Sequence, residues 1–436
     1  MKSFDRAQNK LRKEGCKMNP FEMKPAKRAE LIIDWEKMWA EPYDKRCVDP
    51  YTRTRVILMN GTEFESVWFS HQFSRNTCDN ELRRQIALIR RSEQQQQKLL
   101  THLKPCDETA LEHTIGYEQL AVDLTAHLAK RVTDVNVKNA LDFALLEDFD
   151  HLYRYADYLD MQTGEKAEEL VGRYTEIMPG RPTIAHHRHP YDSIRYAMTN
   201  PKPATMDLLA ANIITAAEQQ TMNYYMNTAA LWPDEAGRRL YQEIGMIEEQ
   251  HVSQYGSLLN PTLSWLENLL VHQFTECYLY WSCYETETDR HIKDVWDFML
   301  QQELMHLHIA QNLLKEYEGK EWQQVIPDGC FPAPLVLESN IDYVRCVLGG
   351  TVNLTAQRED YVDVCETKNG TFQDYQNQVN IPVDNVMSHV VIEEYIRRNG
   401  QDYRFEVDEN PIPELRCRTE DNTQVGRLPE KVVQRV

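Results

Sequence analysis

From about residue 62 to 318, apolar residues recur at i, i+3, i+4 and i+7 in long segments rich in Ala, Leu, Glu and Gln, the pattern of helices that bury one stripe. Short breaks cut these segments: RNTCDN near 78, KPCDET near 106, RVTDVN near 134, LWPDEA near 233, LLNPTL near 261 and TETDRH near 289. Each break supplies a Pro, or an Asp, Asn or Thr that caps the next helix. The pattern predicts a mainly α fold of about eight long helices, paired as four hairpins, over residues 59–318. Residues 1–58 read as an N-terminal extension, mixed and charged, in which RVILM suits a short strand or a buried helix start equally well. One break differs from the rest, a connector over 160–204 dense in Pro, Gly and His. Connectors of that length inside compact domains are usually functional or required by the topology. Residues 319–436 read as an irregular C-terminal extension, extended apart from one helix near 383–398.

Composition narrows the function classes. The chain has 436 residues, with 68 acidic against 48 basic, for a net charge of −20. That balance repels nucleic acid and anionic membrane surfaces. The basic start, MKSFDRAQNKLRKEG, is not followed by an apolar core, and no apolar run reaches the roughly 18 residues of a membrane span. A cytoplasmic protein is expected. The ten cysteines are scattered with no CxxC, which excludes a zinc ribbon or a rubredoxin-type iron site, and they read as reduced thiols.

The chemistry lies in a repeated spacing. Glu118 is followed thirty residues later by Asp148, and His151 comes three further on; Glu218, Glu248 and His251 repeat those offsets. Tyr155 and Leu159 follow Asp148 as Tyr255 and Leu259 follow Glu248, which marks an internal repeat. A third hairpin carries Glu276, then Glu303 with His306. A fourth carries Glu65 and Glu93, with Gln96 where the histidine would be. Two residues that far apart, with a tight turn midway, lie at one height on adjacent antiparallel helices. Residues three apart share a helix face, so each hairpin aims its acids and its imidazole at a common point. Two hairpins together give four carboxylates and two imidazoles, a donor set suited to two iron ions, or manganese. A lone Glu-x-x-His is common on helices; recurrence at matched depth is what lifts this pattern above chance.

The arrangement resembles the ferritin-like di-iron carboxylate superfamily over about 115–260, with an extra hairpin to about 318. Within it, AAEQQTMNYYMNTA and EEQHVSQYGSLL look like rubrerythrin helices, although the chain has no rubredoxin domain and Asp148 stands where that family usually has Glu. The resemblance implies a ferritin-like four-helix bundle with additional hairpins. It also implies a dinuclear iron or manganese oxidoreductase that reacts with O2 or H2O2 and draws on an external electron donor, and a homo-oligomer, a dimer. Iron storage, or a non-enzymatic scaffold or partner-binding protein, is the alternative.

Topology ranks the pairings. Ferritin-like bundles need parallel second and third helices, and the 160–204 connector is long enough to cross a bundle whereas the turn at 260–262 is not. The leading metal set is therefore Glu118, Asp148, His151, Glu218, Glu248 and His251. Glu276, Glu303 and His306 either pair with Glu218, Glu248 and His251 or join Glu65 and Glu93 in a second, histidine-poor site. Tyr155, Tyr225 and Tyr255 are candidates for electron relay or peroxide hydrogen bonding, with aromatic core packing as the equal alternative. His186, His187 and His189 read as a solvated loop in preference to a metal site, and Cys277 and Cys283 as core.

Overall fold

A computed structural model of the chain describes residues 18–27, 29–180, 187–198, 203–367, 370–380, 386–405, 408–416 and 418. The fold is mainly helical. Among the described residues it has twelve α-helices: α1 (Pro50–Arg75), α2 (Asn80–Leu103), α3 (Ala110–Ala129), α4 (Val135–Thr163), α5 (Ala167–Val171), α6 (Thr205–Thr228), α7 (Glu235–Gly256), α8 (Trp265–Thr286), α9 (Arg290–Glu318), α10 (Ile341–Thr351), α11 (Thr371–Val379) and α12 (Met387–Asn399). The only sheet among those residues is a hairpin of β1 (Leu354–Gln357) and β2 (Asp360–Asp363), antiparallel with Leu354 opposite Asp363.

The breaks in the hydrophobic pattern act as caps. The Asp79 carboxylate accepts from Leu82 N at 2.8 Å, Asp134 from Asn136 N at 2.9 Å, Asp234 from Gly237 N at 2.8 Å and Asp289 from Ile292 N at 3.0 Å. Thr109 with Glu112 and Ser264 with Glu267 form reciprocal capping boxes. Each such cap stabilises its helix by about 1 kcal/mol. Helices α4 and α9 stop at Gly164 and Gly319, whose φ of 78° and 65° lies in the left-handed region that ends a helix. RVILM resolves as helix, because Asp49 caps α1 ahead of it, with Pro50 in the first turn.

The chain divides into two compact units. The first comprises residues 1–106, 200–216 and 260–336; the second comprises 107–199, 217–259 and 337–436. In the first, α1 packs on α2 and α8, and α9 packs on α8 and α2, closing a ring of four helices. In the second, α3 packs on α4 and α4 on α7, while the part of α6 from residue 217 onward faces α3 through Tyr224, Tyr225 and Gln220. Helix α3 is buried along nearly its whole length and so lacks a polar stripe.

The C-terminal segment is more structured than its sequence suggests. Besides α12, which falls where one helix was expected, it forms α10, α11 and the hairpin, all docked on the second unit. Tyr395 donates to Asp160 at 3.1 Å, Ser388 Oγ to Glu243 at 2.8 Å, and Arg404 binds both Asp157 and Glu168. Cys330 is disulfide-bonded, which corrects the expectation of uniformly reduced thiols; Cys47, Cys78, Cys106, Cys277, Cys283 and Cys346 are free. Bonding reach between two cysteines is set by the fold, not by their spacing along the chain. No helix among the described residues is long and apolar enough to cross a membrane.

Candidate metal centre

Four helices of the second unit deliver the central acids and imidazoles. Helix α3 contributes Glu118, α4 Asp148 and His151, α6 Glu218, and α7 Glu248 and His251; all six are buried, none more than 1% exposed. Their potential ligand atoms fall into two overlapping groups: Asp148, Glu218, Glu248 and His251, and Glu118, His151 and Glu248. Glu248 belongs to both, as a carboxylate shared between two cations does. His151 Nδ1 lies 2.9 Å from Glu248 Oε1. His251 Nδ1 lies 3.0 Å from Glu248 Oε2, 3.3 Å from Asp148 Oδ1 and 3.6 Å from Glu218 Oε2.

The donor atoms fit a cation better than they fit one another. Glu118 Oε2, Asp148 Oδ1, Glu218 Oε2 and both His151 nitrogens are buried without an aligned hydrogen-bond partner, although His151 and Glu248 are in close approach. Buried polar atoms are ordinarily paired, so this concentration of orphans marks a place for a ligand. The electrostatics agree. Burial, reinforced by the neighbouring carboxylates, holds Glu118 and Asp148 well above the usual carboxylate range and pushes Glu218 up to about 8. Burial also tends to raise Glu248, but the charges of His251 and His151 outweigh it and hold that acid below its ordinary value. Burial opposes a charge on His251, yet Glu248, Glu147 and Glu218 together raise its pKa well above the normal imidazole value. Protons thus compensate the acids here, and a bound cation would displace them.

Two residues of the centre escape a reading of the sequence. Glu147 Oε2 lies 2.7 Å from His251 Nε2, and its other oxygen accepts from Arg188 Nη1. Arg188 is itself fixed, its backbone N–H donating to Gln250 at 2.7 Å. Glu147 could have been noticed as a second acid directly beside Asp148, within a run that also carries Asp150, His151 and Arg154. Arg188 gives no such signal, because it lies in the histidine-rich connector. Of the histidines there, His187 Nε2 lies 3.7 Å from Glu243, His189 caps Tyr191 N at 3.3 Å, and His186 lies outside the described residues. A cavity of about 370 Å³ lies against Arg188, lined also by His187, Glu243, Met246, Gln250 and Met387.

Tyrosines close the centre on both sides. Tyr225 donates to Glu118 Oε1, while the hydroxyls of Tyr155 and Tyr255 are buried without partners. The Tyr155 ring lies 5.3 Å from that of Tyr225 and 4.8 Å from that of Tyr241, tilted against both.

Glu276, Glu303 and His306 belong to the first unit, where they meet α1 and α2. The acid that α1 turns toward Glu93 and Glu303 is Glu63, not Glu65. Glu65 pairs instead with His272 at 3.0 Å, near the edge of the unit. The correction has a sequence signal. Glu63 stands thirty residues before Glu93, the offset of Glu118 from Asp148 and of Glu218 from Glu248, whereas Glu65 does not. No protein-family model, curated protein or solved structure matches the chain.

Proposed function

We propose that the second unit is a ferritin-like bundle that holds a dinuclear iron or manganese centre and acts as an oxidoreductase on O2 or H2O2. The observation that carries this reading is the convergence of six buried side chains from four helices, with orphaned donor atoms in two groups that share Glu248. Iron or manganese bound by these residues supplies Lewis acidity and one-electron redox steps toward dioxygen or peroxide. Reducing equivalents come from an external donor.

The chain's own residues do the rest. Glu147 accepts a hydrogen bond from His251 Nε2–H, which fixes the tautomer whose Nδ1 lone pair would face a cation held among the carboxylates. Arg188 holds Glu147 in that pose. Tyr225 restrains one oxygen of Glu118 and leaves the other for the centre. Tyr155 and Tyr255 each present a buried hydroxyl beside the acids, placed to donate a hydrogen bond to an oxygen substrate. The surrounding aromatic and aliphatic side chains exclude bulk water, which strengthens every charge interaction inside.

The test is metal analysis coupled to substrate consumption. Protein reconstituted with Fe(II) or Mn(II) and desalted should retain about two ions per chain. The reduced, loaded protein should consume O2 or H2O2 faster than the same metal in buffer. His251→Ala should lose most of the bound metal. Unchanged metal content in that variant, or consumption no faster than free metal, would remove the reading.

A further inference from the structure

The first unit contains a second buried group of acids that shares several contacts with the metal centre. Tyr280 on α8 donates to Glu63 Oε1 on α1, as Tyr225 on α6 donates to Glu118 Oε1 on α3. His306 Nδ1 lies 3.1 Å from Glu303 Oε2, matching 3.0 Å between His251 and Glu248. Gln96 Nε2 donates to Glu303 Oε1 at 2.6 Å, the place where His151 Nδ1 faces Glu248 Oε1 at 2.9 Å. Glu63, Glu93 and Gln96 repeat the sequence offsets of Glu118, Asp148 and His151.

Two substitutions break the likeness, and both change the chemistry in one direction. An imidazole nitrogen offers a lone pair to a cation, whereas an amide nitrogen offers only N–H donors. Gln96 therefore puts a donor where the other unit has a ligand. Gln273, three residues before Glu276, extends the effect: its Nε2 lies 2.9 Å from Glu93 Oε1 and 2.7 Å from Glu276 Oε2, bridging two carboxylates as a cation would. The corresponding residue before Glu218 is Thr215, whose hydroxyl donates to Ala211 of its own helix at 2.7 Å. Ser66 adds a further donor to Glu93 at 3.1 Å. Among the described residues, close groupings of ligand atoms occur around Glu248 and not around Glu303.

We infer that the first unit is a metal-free counterpart of the centre, in which the Gln96 amide stands where the centre has the His151 imidazole and the Gln273 amide bridges two carboxylates in place of a cation, so that the chain's capacity is a single dinuclear site. The amides and Ser66 tie the acids of the first unit together, while Glu63 Oε2, Glu93 Oε2, Glu276 Oε1 and His306 Nε2 are buried without a protein partner. Carboxyl groups that keep their protons donate as well as accept, which suits the oxygens that the amides do not reach. The comparison rests on the metal reading of the second unit, and the experiment separates the two.

Four proteins are loaded with Mn(II) or Fe(II), desalted and assayed for bound metal: the wild type, His251→Ala, Glu303→Gln, and Gln96→His with Gln273→Thr added to the His251→Ala background. The expected contents are about two ions, a loss of most of them, no change from wild type, and a gain of at least one ion over His251→Ala alone. Wild-type content near four ions, or loss of metal from Glu303→Gln, would mean that the first unit binds cations itself and would overturn the inference. Wild type that takes up none defeats the proposed function, but the engineered gain still decides this inference. A gain supports it; no gain in a protein with wild-type helical circular dichroism overturns it. Should the triple variant fail to fold, Gln96→His in the His251→Ala background gives the same reading.

Discussion

At the scale of single residues, the centre depends on groups that do not themselves face a cation. Glu147 is the clearest case, since it touches His251 on the side away from the carboxylates and is held by Arg188. Removing one partner from a buried ion pair strands the other charge, at about 3–5 kcal/mol. Glu147→Gln is the gentler probe, because it keeps volume and an acceptor oxygen while removing the charge. It is expected to weaken metal affinity about 10- to 100-fold, the usual effect of losing a partner behind a ligating histidine. Competition against a chelator of known affinity measures this, and wild-type affinity in the variant would mean that Glu147 plays no part in orienting His251. Helix geometry also explains why Glu63, and not the expected Glu65, faces Glu93 and Glu303. Glu63 and Glu65 are two positions apart on α1, so they point about 200° apart around the helix, and only one of them can face the interior.

At the scale of elements, helix ends were legible and loops were not. Asp79, Thr109, Asp134, Asp234, Ser264 and Asp289 are local signals: each bonds within three residues of itself, so the sequence carries the whole interaction. The connector after α4 is the opposite case. Its run past α4 is pinned where Gly180 comes so close to Asp150 that an added Cβ would lie 2.8 Å from that residue's Cα. Backbone on both sides cannot yield cheaply. Gly180→Ala should therefore destabilise the protein by about 1–3 kcal/mol, the cost of overpacking, with the urea midpoint as the measurement. A midpoint equal to wild type would show the contact to be slack. The docking of the C-terminal segment was equally opaque, because Arg404, Tyr395 and Ser388 find their partners more than a hundred residues away.

At the scale of the whole molecule, both units bury acids and an imidazole on four helices, but in the first Gln96 stands where the second has His151. The two units should therefore respond differently to metal. A cation that binds only the native state adds about 4 kcal/mol at a thousand times its dissociation constant. Chelation should speed amide hydrogen exchange in 110–163 and 217–256 while leaving 50–103 and 265–318 unchanged, and equal acceleration in both units would contradict the assignment. The sequence by itself determined the helices, their caps and the recurring depth of acids and imidazoles, because periodicity and capping are local and a thirty-residue offset across a turn is a matter of helical rise. Only the tertiary structure decided which hairpins share an interior and that Glu147 and Arg188 stand behind His251. Those outcomes depend on which faces meet when distant segments pack, and on the cost of leaving a buried charge unpaired, neither of which is written in the spacing along a single helix.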